Sequence, residues 1–206
     1  LRARGRLPRP TLRAALAAAL GLAGLGLIGQ SLYMDAKAAL AQVLLERAFS
    51  ESLATGAPVK AWRWADTWPV ARLEVPRLGA SEIALAGTSG EALAFGPGRL
   101  AGAPEAGEPG TAVYAAHRDT HFAFLRHVRV GDEIRVTRRD GVTARFRVER
   151  LRVAPWNASG IDPQAQGRRL ALVTCWPFDA LTPGPLRYVV EAQAIDDVAQ
   201  SGDAGR

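Results

Sequence analysis

RDGVTARFRVERLRV, residues 139–153, decides the fold class. Asp140-Gly141 is the strongest short-range signal for a tight hairpin, since both residue types accept the positive φ that the turn demands. Past the turn the side chains alternate. Val142, Ala144, Phe146 and Val148 fall on one side, and Thr143, Arg145, Arg147 and Glu149 on the other. A period of two describes a strand with one face in a core and one in water. Working outward, similar short runs recur at 71–75, 82–86, 111–116, 133–138, 142–153, 169–175 and 186–195, separated by Gly, Pro and Asp turns. Seven or so short strands with few helices imply an all-β sandwich or closed barrel. Short helical turns are expected near residues 90–94 and 121–127.

The charge sits elsewhere. The chain of 206 residues carries a net charge of +6, but five of its 26 basic residues are Arg2, Arg4, Arg6, Arg9 and Arg13. Residues 14–206 therefore hold 21 basic against 20 acidic side chains. The folded body is nearly neutral, which argues against a nucleic-acid partner. Residues 14–34, AALAAALGLAGLGLIGQSLYM, carry no charge and are long enough to span a bilayer as a helix. Arginines ahead of a span hold that end in the cytoplasm. A cleaved signal peptide is the rival, since the purely apolar part covers only 14–28; no clean small-x-small site follows, which favours an uncleaved anchor.

Residues 35–55 are Ala/Leu-rich, with Leu40, Val43, Leu44 and Phe49 able to share one side, and are expected to form a stalk helix ended by Gly56-Ala57-Pro58. Trp62, Trp64 and Trp68 then cluster before Pro69, where packing on the domain is a better reading than a membrane-interface belt. The expected organisation is a cytoplasmic arginine-rich segment at 1–13, an anchor at 14–34, a stalk and linker at 35–69, a catalytic domain at 70–196 and a disordered tail at 197–206.

Three polar residues stand at or near strand ends. Cys175, the single cysteine, closes the apolar run RLALVTC; His117 closes TAVYAAH; Arg187 opens LRYVV. A Cys/His pair is a standard nucleophile arrangement, and the thiolate is its reactive form. An arginine cannot serve as a base, but its planar donors can hold a carbonyl oxygen as it becomes an oxyanion. Each has a bland reading: a small buried hydrophobe for Cys175, a packed or surface histidine for His117, and one of 24 arginines for Arg187. Only the constellation raises all three.

Taken together these segments resemble the sortases, cysteine transpeptidases anchored in bacterial membranes. The family's Thr-Leu-x-Thr-Cys appears here as ALVTC, residues 171–175, with Ala171 in the first position. An arginine a dozen residues on fits Arg187, and HRDTHFAFL at 117–125 fits the histidine segment. LEVPRLG at 73–79, GPGR at 96–99 and VGDEI at 130–134 add to the likeness. The wording AHRDTHF with TCWPF is similar to the Gram-negative branch.

The resemblance implies a closed eight-stranded barrel behind the anchor, facing the periplasm from the inner membrane. It implies Cys175 as nucleophile, His117 as general acid and base, and Arg187 as stabiliser of the carbonyl and oxyanion. It also implies a protein substrate with an LPxTG-like sorting signal, an amine acceptor, and Thr174, Arg118, His121 and Trp176 near the substrate. No cofactor or metal is implied, and no acidic cluster suggests one. The alternatives are a thiol peptidase using water as acceptor, and a non-catalytic peptide-binding barrel.

Other motifs lead nowhere. HRD at 117–119 echoes a kinase loop, but Phe124 stands where its Asn belongs. His117 and His121 have zinc-helix spacing, but Arg118 replaces the general-base Glu and the preceding run is a strand. Asp119 is open to two uses, orienting His117 or pairing with Arg118.

Overall fold

The structure, a computed structural model, describes residues 11–195, so residues 1–10 of the arginine-rich segment and the 197–206 tail lie outside it. Eight strands are present: β1 Pro69–Val75, β2 Ala80–Ala86, β3 Gly98–Arg99, β4 Gly110–Ala115, β5 Glu133–Arg138, β6 Thr143–Pro155, β7 Arg168–Trp176 and β8 Leu186–Ala194. They close in the order β1-β2-β3-β4-β7-β8-β6-β5, and β5 pairs back onto β1. A closed barrel leaves no sheet edge unpaired.

Seven strands fall where the short runs place them. The eighth, β3, is only two residues long and carries no apolar period to read. It joins β2 in parallel and β4 antiparallel. Its Gly98 admits no side chain, because a Cβ there would lie 2.2 Å from the Gly87 carbonyl oxygen. Close backbone approach is what glycine permits.

The opening hairpin forms, with Val136 opposite Ala144 and Gly141 at φ 84°. Phe146 and Val148 are buried, but Val142 is 50% exposed because the strand begins only at Thr143. A register irregularity between Val148 and Arg150 then shifts the alternation, so that Leu151 rather than Arg150 packs against the core. A bulge of this kind bends its strand and re-aims the side chains beyond it. The barrel interior is filled by Leu73, Tyr114, Phe122, Ile134, Phe146 and Leu172.

Helix α1 runs unbroken from Leu12 to Thr55, and the chain divides into two units at Ala41/Gln42. In the first unit the helix is apolar all round, with a mean hydropathy of 1.8 over its best window, and is long and apolar enough to cross a membrane.

In the second unit its last turns differ from the expected stalk. Val43 is 64% exposed, whereas Leu45, Phe49 and Ser52 are buried. Leu45 and Phe49 pack with Ile83, Leu85 and Ala92, that is, on the outer face of β2 and on helix α2, Gly90–Phe95. The buried spacing i, i+4, i+7 is a helical stripe set by the barrel surface it meets. Of the other expected members of the face, Leu40 is exposed and Leu44 half-buried. The helix stops at Gly56, whose φ of 70° lets its N–H return to the Ser52 carbonyl at 2.9 Å. Trp62 sets an edge against Phe95 and Trp68 packs on the core, while Trp64 is 79% exposed.

Two carboxylates tie the β5 start to its surroundings. Asp132 accepts from Arg77 Nε at 2.5 Å, from Arg77 Nη2 at 2.7 Å and from the Arg129 N–H at 2.8 Å. Hydrogen bonding to Arg77 lowers its pKa. Arg145, and then Arg135, hold Glu133 down at about 2. Both shifts are depressions of acids, so their stabilisation is complete above the unfolded-state value of about 4 and fades as pH falls through the folded values. The thermal midpoint should therefore drop between pH ~4 and ~2, and Asp132→Asn should flatten part of that drop. A midpoint independent of pH over this range would remove both groups from the stability of the fold.

Candidate active site

Alternation along β7 sorts its side chains. Leu170 and Leu172 point into the barrel, and Thr174 is buried on the same side. Ala171 and Val173 belong to a separate cluster with Ala103, Val113, Val189 and Ile161 on the outer face. Cys175 continues that outer row. It is half-buried and carries no disulfide.

Arg187 stands directly opposite Cys175 in the antiparallel β7–β8 ladder. Directly opposed residues share a face and hold their Cβ atoms about 5 Å apart. On its other side Arg187 faces Ala154 of β6, which is buried. Arg187 Nη1 donates to the Gly184 carbonyl at 2.8 Å and the Leu186 carbonyl at 2.9 Å. Among the described residues no carboxylate pairs with it, so its charge is left available.

His117 arrives from β4, the parallel neighbour of β7. Ala115 pairs with Val173, and the Ala116 N–H donates to the Val173 carbonyl at 3.1 Å. The Thr174 hydroxyl donates to the Ala116 carbonyl at 2.7 Å. Carrying the register on places His117 beside Cys175. His117 is exposed, and among the described residues no hydrogen bond reaches its ring. The three residues of the expected constellation thus stand at or just past the ends of three neighbouring strands, β4, β7 and β8.

The remaining four candidates take other positions. Thr174 is 2% exposed and its hydroxyl is committed to backbone, so it fastens the strand end that carries His117 and is not presented on the outer face. Trp176 stacks on Tyr188 with ring centroids 5.6 Å apart and meets Phe178 edge-on, on the side opposite Cys175. Arg118 Nη2 donates to the carbonyls of Ala180 and Thr182 in the β7–β8 loop. His121 Nδ1 lies 2.7 Å from a Glu82 carboxylate oxygen and so anchors its turn to β2. Asp119 is exposed and among the described residues makes neither of its two expected contacts.

Sequence reading missed Glu82 and the loop carbonyls. Glu82 was traceable, since it breaks an inward row of Ala80, Ala84 and Ala86. The carbonyls carry no residue-type signal at all.

Val113, Ala171 and Val189 are buried together with Ala103, with Ile161 packed against them, and this outer-face packing leads along β7 to Cys175. A peptide carbonyl brought to Cys175 would meet the thiol and the guanidinium on one face. The arrangement suits acyl transfer: a nucleophile, a proton carrier and an oxyanion donor at neighbouring strand ends.

The family model for the sortase domain matches residues 73–195. Sortase D of Bacillus subtilis (strain 168) is 28% identical over 123 residues, which cover 60% of this chain and 62% of that protein. Among solved structures, sortase A from Corynebacterium diphtheriae superposes with a TM-score of 0.58 at 25% identity, covering 65% of this chain and 63% of that one. The Clostridium perfringens sortase D5 transpeptidase shares the fold with a TM-score of 0.61 at 19% identity, covering 77% of this chain and 99% of that one.

Proposed function

Because this chain belongs to the sortase family, we propose that it is a membrane-anchored cysteine transpeptidase that cleaves an LPxTG-like sorting signal and passes the acyl group to an amine. The observation that carries this reading is the cross-strand pair Cys175–Arg187 with His117 brought alongside by β4. A scaffold has no use for a half-buried free thiol, an acid-free arginine and an unbonded imidazole at the ends of neighbouring strands.

The Cys175 thiolate attacks the scissile carbonyl carbon, and Arg187 donates to the oxygen as it takes up negative charge. Collapse of the tetrahedral intermediate breaks the C–N bond, and His117 gives its proton to the departing amine. The resulting thioester is attacked by the acceptor amine. His117 takes the proton of that nucleophile, and the thiolate leaves. The apolar helix of the first unit supports a single-pass anchor in the bacterial inner membrane, with the domain on the periplasmic side. The AHRDTHF and TCWPF wording supports the Gram-negative branch.

Intact-mass spectrometry of the chain mixed with an LPxTG-type peptide pool tests this. A mass gain equal to the N-terminal fragment of one peptide, discharged faster by an added amine than by water, is expected. Discharge that ignores amines would make the protein a thiol peptidase. No adduct, with a thiol inert to alkylation, would leave the peptide-binding barrel.

A further inference from the structure

The β7–β8 loop, residues 177–185, has the sequence PFDALTPGP and little side-chain anchorage. Leu181 is fully exposed, and only Phe178 packs on the core cluster. Its backbone is held instead. The carbonyls of Ala180 and Thr182 accept from Arg118 Nη2, and those of Gly184 and Leu186 accept from Arg187 Nη1. Carbonyls at alternate positions through the bends of this loop and into the start of β8 thus meet two arginines in turn. One arginine adjoins His117 in sequence, and the other opposes Cys175.

We infer that Arg118 is a positioning residue: it holds the β7–β8 loop so that the next carbonyls in the run aim the guanidinium of Arg187. The inference rests on the acyl-transfer reading given above. Arg118 acts through the loop and does not touch substrate. Both hydrogens of a single nitrogen, Nη2, serve the two loop carbonyls, while Nη1 is buried with no partner. Two acceptors converging on one nitrogen are a pattern that a lysine ammonium, with three donors on one atom, can reproduce. Lysine would also remove the unpartnered buried N–H group. A residue that gripped substrate by a planar fork would not tolerate that exchange.

The test uses the full chain in detergent, with Arg118→Ala and Arg118→Lys. Hydrogen exchange of peptides covering 177–186 should quicken roughly tenfold in Arg118→Ala and stay near wild type in Arg118→Lys. Transfer on a signal peptide should fall about 10–100-fold in kcat for the alanine variant, with KM moving less than about threefold, and lysine should recover most of it. In an Arg187→Ala background the further loss from Arg118→Ala should shrink to about twofold or less, since both changes act on one group. Unchanged loop exchange, or a lysine variant as poor as alanine, overturns the inference while wild-type transfer leaves the parent reading standing. No wild-type adduct overturns the parent reading, and the exchange data then show by themselves whether the strap exists.

Discussion

Cys175→Ala should abolish acyl-enzyme formation and lower transfer by ~10⁴-fold or more, since no neighbouring group can replace the nucleophile. The expectation is specific because the fold has little stake in the thiol. Cys175 is half-buried, and the clamp at its strand end is the Thr174 hydroxyl on the opposite face. The thermal midpoint should therefore stay within the range of a surface change, about 1 kcal/mol or less. The change removes one sulfur atom and leaves the neighbouring side chains in place, so peptide affinity should persist. Mass spectrometry and a binding titration on the same preparation check both halves. Residual adduct in the alanine variant would assign the chemistry to another group, and lost peptide binding would mean that the thiol side chain contributes to binding.

β6 was legible because burial on one face imposes a period of two, and β4 and β7 were legible as short apolar runs because both of their faces are buried. β3 was not, because two residues pinned between neighbours by a glycine's lack of a side chain leave no pattern to read. The end of α1 was legible as helix but not as to which side is buried. Val43 and Leu45 are equally apolar, and only the outer surface of β2 chooses Leu45. The proposed trio stood out as residue types at strand ends. Their convergence depends on the parallel β4–β7 register and the antiparallel β7–β8 register, which join residues far apart in the chain. Arg118, His121, Thr174 and Trp176 were visible as a neighbourhood. Their bonds to loop carbonyls, to Glu82, to Ala116 and to Tyr188 are tertiary facts that composition cannot carry.

Arg187→Lys keeps the charge and should still cost about 10²–10³-fold in turnover, the usual loss when an oxyanion donor is removed. In the proposed mechanism the guanidinium performs two tasks with different nitrogens. Nη1 is engaged by Gly184 and Leu186, while Nε and Nη2 make no hydrogen bond among the described residues and form the edge left for substrate. A lysine ammonium is one atom at one point. Placed on the loop carbonyls it leaves the oxyanion without its donor; placed on the oxyanion it leaves the loop unheld. The loss should fall on kcat more than on KM, because charge on the carbonyl oxygen develops only in the transition state. The same exchange at Arg118 is tolerated because there one nitrogen already does the whole task. The pair of lysine variants therefore separates two arginines that bind the same loop: a severe loss at 187 with near-normal turnover at 118 follows from which nitrogens each one uses. Near-normal turnover at 187 would remove Arg187 from the chemistry and leave it a loop anchor like its partner.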